Sequence, residues 1–169
     1  MKAGKFMLLT GLCAIGFASP VLCQQTLPGV TVIAANYKYL KTVGGKQVVV
    51  PVTRLQRTAA SYDVKNSEYY EEDYDTYFIS FILPEGQILA AYDANGKLLR
   101  TAEKYKDIRL PAAVTNAVVS RFPNWSIAKD VYIVNYYDQN GGNAQKKYKL
   151  LLQNGTKRIR VQVNENGEF

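Results

Sequence analysis

Short runs rich in β-branched and aromatic residues, closed by turn sequences, limit what this chain can fold into. Residues 158–163 alternate polar with apolar side chains directly after Asn154-Gly155, and Asn95-Gly96 separates two further runs. Strict alternation predicts a strand with one buried and one solvated face, and Asn-Gly is typical of tight hairpins. The same composition predicts strands at 30–40, 77–83, 87–92, 97–101, 131–137, 147–152 and 158–163.

Two segments carry a helical pattern instead. Residues 50–62 have Pro51 in the first turn and an apolar stripe at helical spacing, which leaves Arg54, Gln56 and Arg57 for the solvated side. Residues 110–122 repeat this arrangement after Leu110-Pro111. The run 77–83 is so apolar that neither of its faces is expected to be fully solvated.

The two halves of the chain look like copies of each other. Tyr77 to Gly96 and Tyr148 to Gly167 both span 19 positions, and both end in an Asx-x-Asn-Gly turn. The helix-opening prolines are 60 positions apart and the turns 71, so the second copy has 11 extra residues between helix and hairpin. An internal duplication explains both spacings. The expected fold class is α+β, with tandem helix-plus-antiparallel-hairpin repeats at about 30–105 and 106–169.

The N-terminus predicts export. Two lysines, an apolar run from Phe6 to Phe17 and a short polar exit form the three regions of a signal peptide, with cleavage expected between Cys23 and Gln24. The apolar run is shorter than the roughly 20 residues that span a bilayer. Acylation of Cys23 is the alternative, although Leu22 is bulky for such a site. A signal peptide at 1–23 and a periplasmic or secreted domain at 24–169, without a transmembrane segment, are therefore expected.

The side-chain inventory of that domain excludes several chemistries. Both cysteines lie in the signal peptide, so neither a disulfide nor a thiolate metal site is expected, and the chain has no histidine. Ser-His-Asp and Cys-His catalysis and His-ligated zinc are thereby excluded. Loss of Lys2 and Lys5 lowers the net charge from +7 to +5. The basic residues are spread out, and the densest group, at 146–160, would be divided between strand faces, so nucleic-acid binding is not expected.

The acidic, tyrosine-rich stretch at 69–75 is the most unusual local composition. It can be a recognition loop, because tyrosine offers large, rigid contact area and carboxylates orient toward a basic partner. It can equally be a solvated connection whose tyrosines lie on the sheet. A calcium site is disfavoured because the alternating ligands and glycine of an EF-hand are missing. The candidate partner-binding residues are Tyr69, Tyr70, Glu71, Glu72, Asp73, Tyr74 and Tyr137.

Three other aromatic positions complete the set of candidates. By alternation Tyr132 and Tyr136 share one face of a strand and Tyr137 takes the other, so at least one of the three is expected to face solvent and continue a binding surface. Trp125, the sole tryptophan, is expected to pack over the helix–sheet junction rather than to anchor a partner.

The runs 110–114, 122–127, 148–155 and 161–167, with 77–81 and 90–97 in the first half, resemble the PepSY-like, beta-lactamase-inhibitor-like family of exported bacterial proteins from the Bacteroidetes. The resemblance implies helices packed in tandem on one face of an antiparallel sheet. It implies protein binding or inhibition by analogy, and it supplies no catalytic residues.

These observations favour a non-catalytic protein- or peptide-binding module of inhibitor-like kind, whose partner in the cell envelope is unknown and which needs no cofactor. An envelope-associated small-ligand or calcium-binding protein is the alternative. An enzyme is not expected, because adjacent carboxylates in one loop do not make two opposed groups in a rigid cleft.

Overall fold

The computed structural model describes residues 36–45 and 49–169. The expected signal peptide and the first part of the strand predicted at 30–40 lie outside these residues. The elements follow one another as helices α1 and α2, three strands, helix α3 and three more strands. Their bounds are α1 Tyr37–Val43, α2 Val50–Ser61, β1 Thr76–Leu83, β2 Gly86–Asp93, β3 Leu98–Lys106, α3 Ala112–Arg121, β4 Ser126–Tyr137, β5 Asn143–Asn154 and β6 Lys157–Val163.

The six strands form one antiparallel sheet in which every strand pairs with its neighbours in sequence, in the order β1-β2-β3-β4-β5-β6. Because side chains alternate along each strand, the sheet has two distinct faces. The inner face carries the core, including Tyr77, Tyr92, Tyr105 and Val134. The opposite face is called the open face below, since no helix of the described residues covers it.

The helices pack on the inner face and give the α+β arrangement that was expected. Val52, Leu55 and Ala59 form the buried stripe of α2, and Val114 and Val118 that of α3. Both sets belong to the same core cluster as the inner side chains of the sheet. In the described part of the chain, no helix is long and apolar enough to cross a membrane.

The strand predicted at 30–40 is wrong where the structure describes it, because residues 37–40 begin helix α1. Tyr39 and Val43, four residues apart, are its buried positions. Asn36 fixes the entry to this helix: its amide group donates to the carbonyl oxygens of Ala60 and Gly96, both at 3.2 Å, and its oxygen accepts from the Leu98 N–H at 2.7 Å. Tertiary contacts thus override the β-branched and aromatic composition of the segment.

The position of Gln56 on α2 was also predicted wrongly. Its side chain is buried rather than solvated, and its amide donates to a carboxylate oxygen of Glu103 at 2.9 Å. Gln56 can be buried because the carboxylate of Glu103 on the sheet accepts its hydrogen bond.

The two Asx-x-Asn-Gly turns share one geometry. Asp93 and Asn164 each accept, through Oδ1, the backbone N–H groups two and four residues ahead. Gly96 and Gly167 close the turns at φ +79° and +89°, a region that favours glycine. This is a local correspondence, and the duplication of the two halves stays a prediction.

Candidate functional site: the open face of the sheet

The part of the open face formed by β1, β2 and the end of β4 is apolar and aromatic. Phe78 and Ile82 on β1 are 57% and 72% exposed, and Leu89 and Tyr137 are 46% and 45% exposed. These four side chains form the aromatic patch. The expectation that the strand at 77–83 has no fully solvated face is wrong, because its Phe78 side lies on the open face.

The register of the strands aligns one row of this patch. Phe78 pairs with Ala91, Ala91 with Arg100 and Arg100 with Tyr137, so the row crosses β1 to β4. The Arg100 guanidinium lies 5.5 Å from the centroid of the Phe78 ring, a cation–π distance. Ala91 is buried between them. Aromatic side chains and arginine together are the composition enriched in protein–protein interfaces.

The part of the open face formed by β3, β4, β5 and β6 is basic. Its exposed cations alternate with half-buried apolar side chains from one strand to the next. The expected division of the 146–160 group between faces is found: Lys147, Lys149 and Arg160 lie on the open face, whereas Lys146 turns to the helix side and pairs with Glu165 at 3.5 Å.

The acidic, tyrosine-rich stretch forms turns beside the free edge of β1. Tyr70 is half-buried and stacks on the inner-face residue Tyr77, with ring centroids 5.7 Å apart, and Tyr74 meets the same ring edge-on at 6.3 Å. The Tyr77 hydroxyl donates to the carbonyl oxygen of Glu71. Tyr69 stays exposed. Part of the tyrosine content of the stretch therefore packs on the sheet.

The other candidate residues are not gathered into one cluster. The side chains of Glu71, Glu72 and Asp73 are exposed, while Tyr137 lies three strand spacings, about 14 Å, from β1. Tyr137 belongs to the aromatic patch, and the stretch lies beside β1, at the opposite side of that patch. Tyr132 and Tyr136 share one face, as predicted, and this is the inner face, where both are buried, so that Tyr137 is the one exposed to solvent. Trp125 is half-buried against the core, as predicted.

A buried carboxylate on the inner face has all of its hydrogen bonds within the core. Glu103 is 2% exposed and accepts from the hydroxyls of Tyr39 and Thr101 on Oε1, at 2.7 and 2.8 Å. Gln56 and the Tyr105 hydroxyl donate to Oε2 at 2.9 and 2.7 Å. Burial, followed by the charge of Glu103, raises the pKa of both tyrosines well above 10. With four donors already bound to it, this group serves the core rather than a substrate.

The described residues form cavities of different sizes. A cavity of about 220 Å³ lies between the helices and the sheet, lined by Leu40, Val52, Gln56, Tyr132 and Tyr148 among others, and is smaller than the about 300–1,000 Å³ of typical ligand pockets. More open depressions of about 380 to 680 Å³ lie on the surface, and one of about 510 Å³ lies on the open face beside Val131, Leu151 and Arg160. Across 36–45 and 49–169, no three acidic side chains converge in a way that can hold a metal ion.

Of the four side chains in the aromatic patch, the sequence predicted only Tyr137 as a binding residue and missed Phe78, Ile82 and Leu89. The signal of the patch was present in β1, where Phe78 and Ile82 alternate with Tyr77 and Ile79, so that both faces of one strand are apolar. With helices on only one side of the sheet, one of those faces has to be exposed.

No protein-family model and no curated protein matches the sequence. Among solved structures, the chain is similar to a BLIP-like protein from Bacteroides fragilis, with 20% sequence identity and a TM-score of 0.31. The similarity covers 57% of this chain and 66% of that protein. The description of that protein agrees with the beta-lactamase-inhibitor-like family that the sequence resembles.

Proposed function

We propose that this chain is an exported, non-catalytic module that binds a protein partner through the open face of its sheet. Export rests on the N-terminal pattern of a signal peptide, and the lack of catalysis on the missing histidine and mature-chain cysteines. Inhibition is the form that such binding takes when the partner is an enzyme whose surface the sheet covers.

The observation that carries the proposal is the exposure of the aromatic patch. Large apolar side chains that stand together on one face of a sheet are costly in water, and contiguous patches of this kind mark interaction surfaces. Phe78 and Ile82 lie four residues apart on the same face of β1, and Leu89 lies on the adjacent strand β2. The three side chains therefore belong to one surface. Arg100, with its guanidinium over Phe78, supplies the polar group at the centre.

Site-specific photocrosslinking tests this function. A photoreactive side chain placed at Leu89, in cells that export the chain, is expected to give a discrete adduct with another protein. The same group at Val119, which is exposed on α3, is the matched control and is expected to give none. Adducts of equal yield at both positions, or none at Leu89, would contradict the proposal.

A double variant tests whether the crosslink at Leu89 depends on the aromatic patch. Phe78→Asp and Ile82→Asp, combined, are expected to abolish the Leu89 adduct, because they place charge in the centre of the patch. Far-ultraviolet circular dichroism checks that the variant is folded. Survival of the adduct in the folded variant would show that the patch is not the contact surface.

A further inference from the structure

On the basic half of the open face, formed by β3 to β6, cations and apolar side chains follow a regular arrangement. Three half-buried apolar side chains, Ile133, Val131 and Leu151, step from β4 to β5 across its middle. They form the apolar spine. Each of them stands between two cations on the neighbouring strands.

The register defines the flanking cations. Lys104 and Lys147 pair with Ile133, Lys106 and Lys149 pair with Val131, and Lys129 and Arg160 pair with Leu151. All six flanking side chains are exposed. Residues directly opposite across two strands have their Cβ atoms about 5 Å apart. Every apolar side chain of the spine is therefore within reach of a positive charge on both sides.

No carboxylate lies among these cations. The strands contain three acidic residues, of which Glu103 is buried on the inner face and Asp93 ends β2 in a turn. Asp130 accepts the Ile108 N–H at 3.1 Å on the helix side. The ion pairs found in the described residues involve Lys38, Lys97 and Lys146, and thus none of the six. Neighbouring like charges repel one another, so this surface gains from a ligand that brings negative charge.

The apolar spine limits which kinds of anionic ligand fit this surface. A polyanion without apolar groups, such as a sulfated sugar, would leave the spine uncovered, and bases of nucleic acid require aromatic platforms that this half lacks. Along one strand, Lys104 and Lys106 or Lys147 and Lys149 are separated by two residues, about 6.6 Å. The side chains of an extended peptide repeat at the same distance.

We propose that the β3–β6 half of the open face binds an extended acidic segment of a protein, in which carboxylate and apolar side chains alternate at every second residue, so that both kinds point to the sheet. The carboxylates lie over the flanking cations, and the apolar side chains lie on Ile133, Val131 and Leu151. This inference rests on the proposed function and names the chemistry of the partner. The aromatic patch, on the same face, then contacts the remainder of the partner surface.

The test uses fluorescence anisotropy with short labelled peptides and the folded chain. In the first peptide, of nine residues, every second position is in turn glutamate, leucine, glutamate, valine and glutamate, with serine at the positions between them, so that both kinds of side chain share one side. In the second, glutamine replaces glutamate, and in the third, serine replaces the apolar residues. Only the first is expected to bind well, with an affinity that falls as salt is added, because the contacts are charge pairs on an exposed surface.

Two charge-matched variants locate the site. Lys106→Gln, Lys149→Gln, Lys129→Gln and Arg160→Gln, combined, are expected to weaken binding of the first peptide by about tenfold or more. The control changes four exposed cations on the helix side to glutamine: Lys41, Arg54, Arg57 and Lys65. It has the same net charge and is expected to bind like the original chain.

The outcomes separate the possible answers. Equal losses in both variants would show attraction by net charge alone and overturn the inference. So would equal binding of the serine peptide, or tighter binding of a heparin fragment or of anionic vesicles. If the peptide fails to bind while the Leu89 crosslink persists, this inference fails and the proposed function stands. If neither is seen, both fail.

Discussion

The two faces of this sheet are built from the same strands and differ in how their side chains are satisfied. On the inner face, every buried polar side-chain atom of the described residues has a hydrogen-bond partner. On the open face, large apolar side chains and unpaired cations meet water. The inner face therefore accounts for the stability of the domain, and the open face holds groups that are left to water or to another molecule.

Neighbours in sequence show this contrast most directly. Glu103 is enclosed by four donors, whereas Lys104 is exposed beside the apolar spine. Tyr77 is 4% exposed and packs under Tyr70, whereas Phe78 stands in the aromatic patch. If the comparison is right, substitutions at adjacent positions differ sharply in their effect on the free energy of unfolding.

The largest effect is expected at Glu103. Glu103→Leu removes the acceptor of four buried donors and leaves them unsatisfied, which should lower the free energy of unfolding by about 4 kcal/mol or more. Urea denaturation at pH 7 measures the loss. Glu103→Gln keeps the shape and one oxygen, so a smaller loss is expected.

Lys104→Leu is the control for this pair of neighbours. It changes an exposed side chain on the open face, and its effect should stay within about 0.5 kcal/mol. Equal destabilisation by the two leucine variants would break the comparison, because it would mean that the open face is packed as firmly as the inner one.

The second expected effect compares Tyr77→Ala with Phe78→Ala. Tyr77→Ala removes a buried ring from the core and should cost about 3 kcal/mol. Phe78→Ala removes a ring that is 57% exposed, together with its contact with Arg100, and should cost less than about 1 kcal/mol. Thermal and urea unfolding of both variants decide the matter. A larger loss for Phe78→Ala would contradict the assignment of the faces.

The sequence predicted much of this fold because most of its strands carry local signals. Alternation at 158–163 and the Asn-Gly turns mark β6 and its hairpin without any knowledge of the rest of the chain. The stripe of α2, opened by Pro51, is equally local. The strand predicted for residues 37–40 was wrong because the helix formed there depends on Asn36 and on contacts with distant parts of the chain.

The site was harder to predict than the fold. Alternation separated Tyr137 from Tyr132 and Tyr136, yet which of the two faces meets solvent depends on where the helices pack, and which residue pairs with Tyr137 depends on the register of the sheet. Only that register brings Arg100 between Phe78 and Tyr137, or sets Lys106 and Lys149 on either side of Val131. Composition alone drew attention to the tyrosine-rich stretch, in which Tyr70 instead packs on the sheet.

The smallest of the three effects on stability is expected at Asp138, which follows Tyr137 directly after the end of β4. Its carboxylate binds the ammonium groups of Lys97 at 2.6 Å and Lys38 at 2.9 Å, and it accepts from the Tyr136 hydroxyl at 3.1 Å. The bond from Lys97, then that from Lys38, lowers its pKa from 3.8 to about 2. Because both lysines are partly exposed, solvent screening limits the contribution to about 1–2 kcal/mol.

A carboxylate whose pKa is lowered by folding stabilises the protein at pH values above its unfolded-state pKa. Asp138→Asn should therefore lower the free energy of unfolding at pH 6, and the difference between variant and original chain should shrink as the pH falls from about 4 toward 2. Urea denaturation at pH 6, 4 and 2.5 measures it. The binding of peptides to the basic half of the open face should not change at pH 7, since Asp138 is not among its residues. A difference in stability that is as large at pH 2.5 as at pH 6 would mean that packing at the rim, rather than charge, ties α1 and the β2–β3 turn to the end of β4.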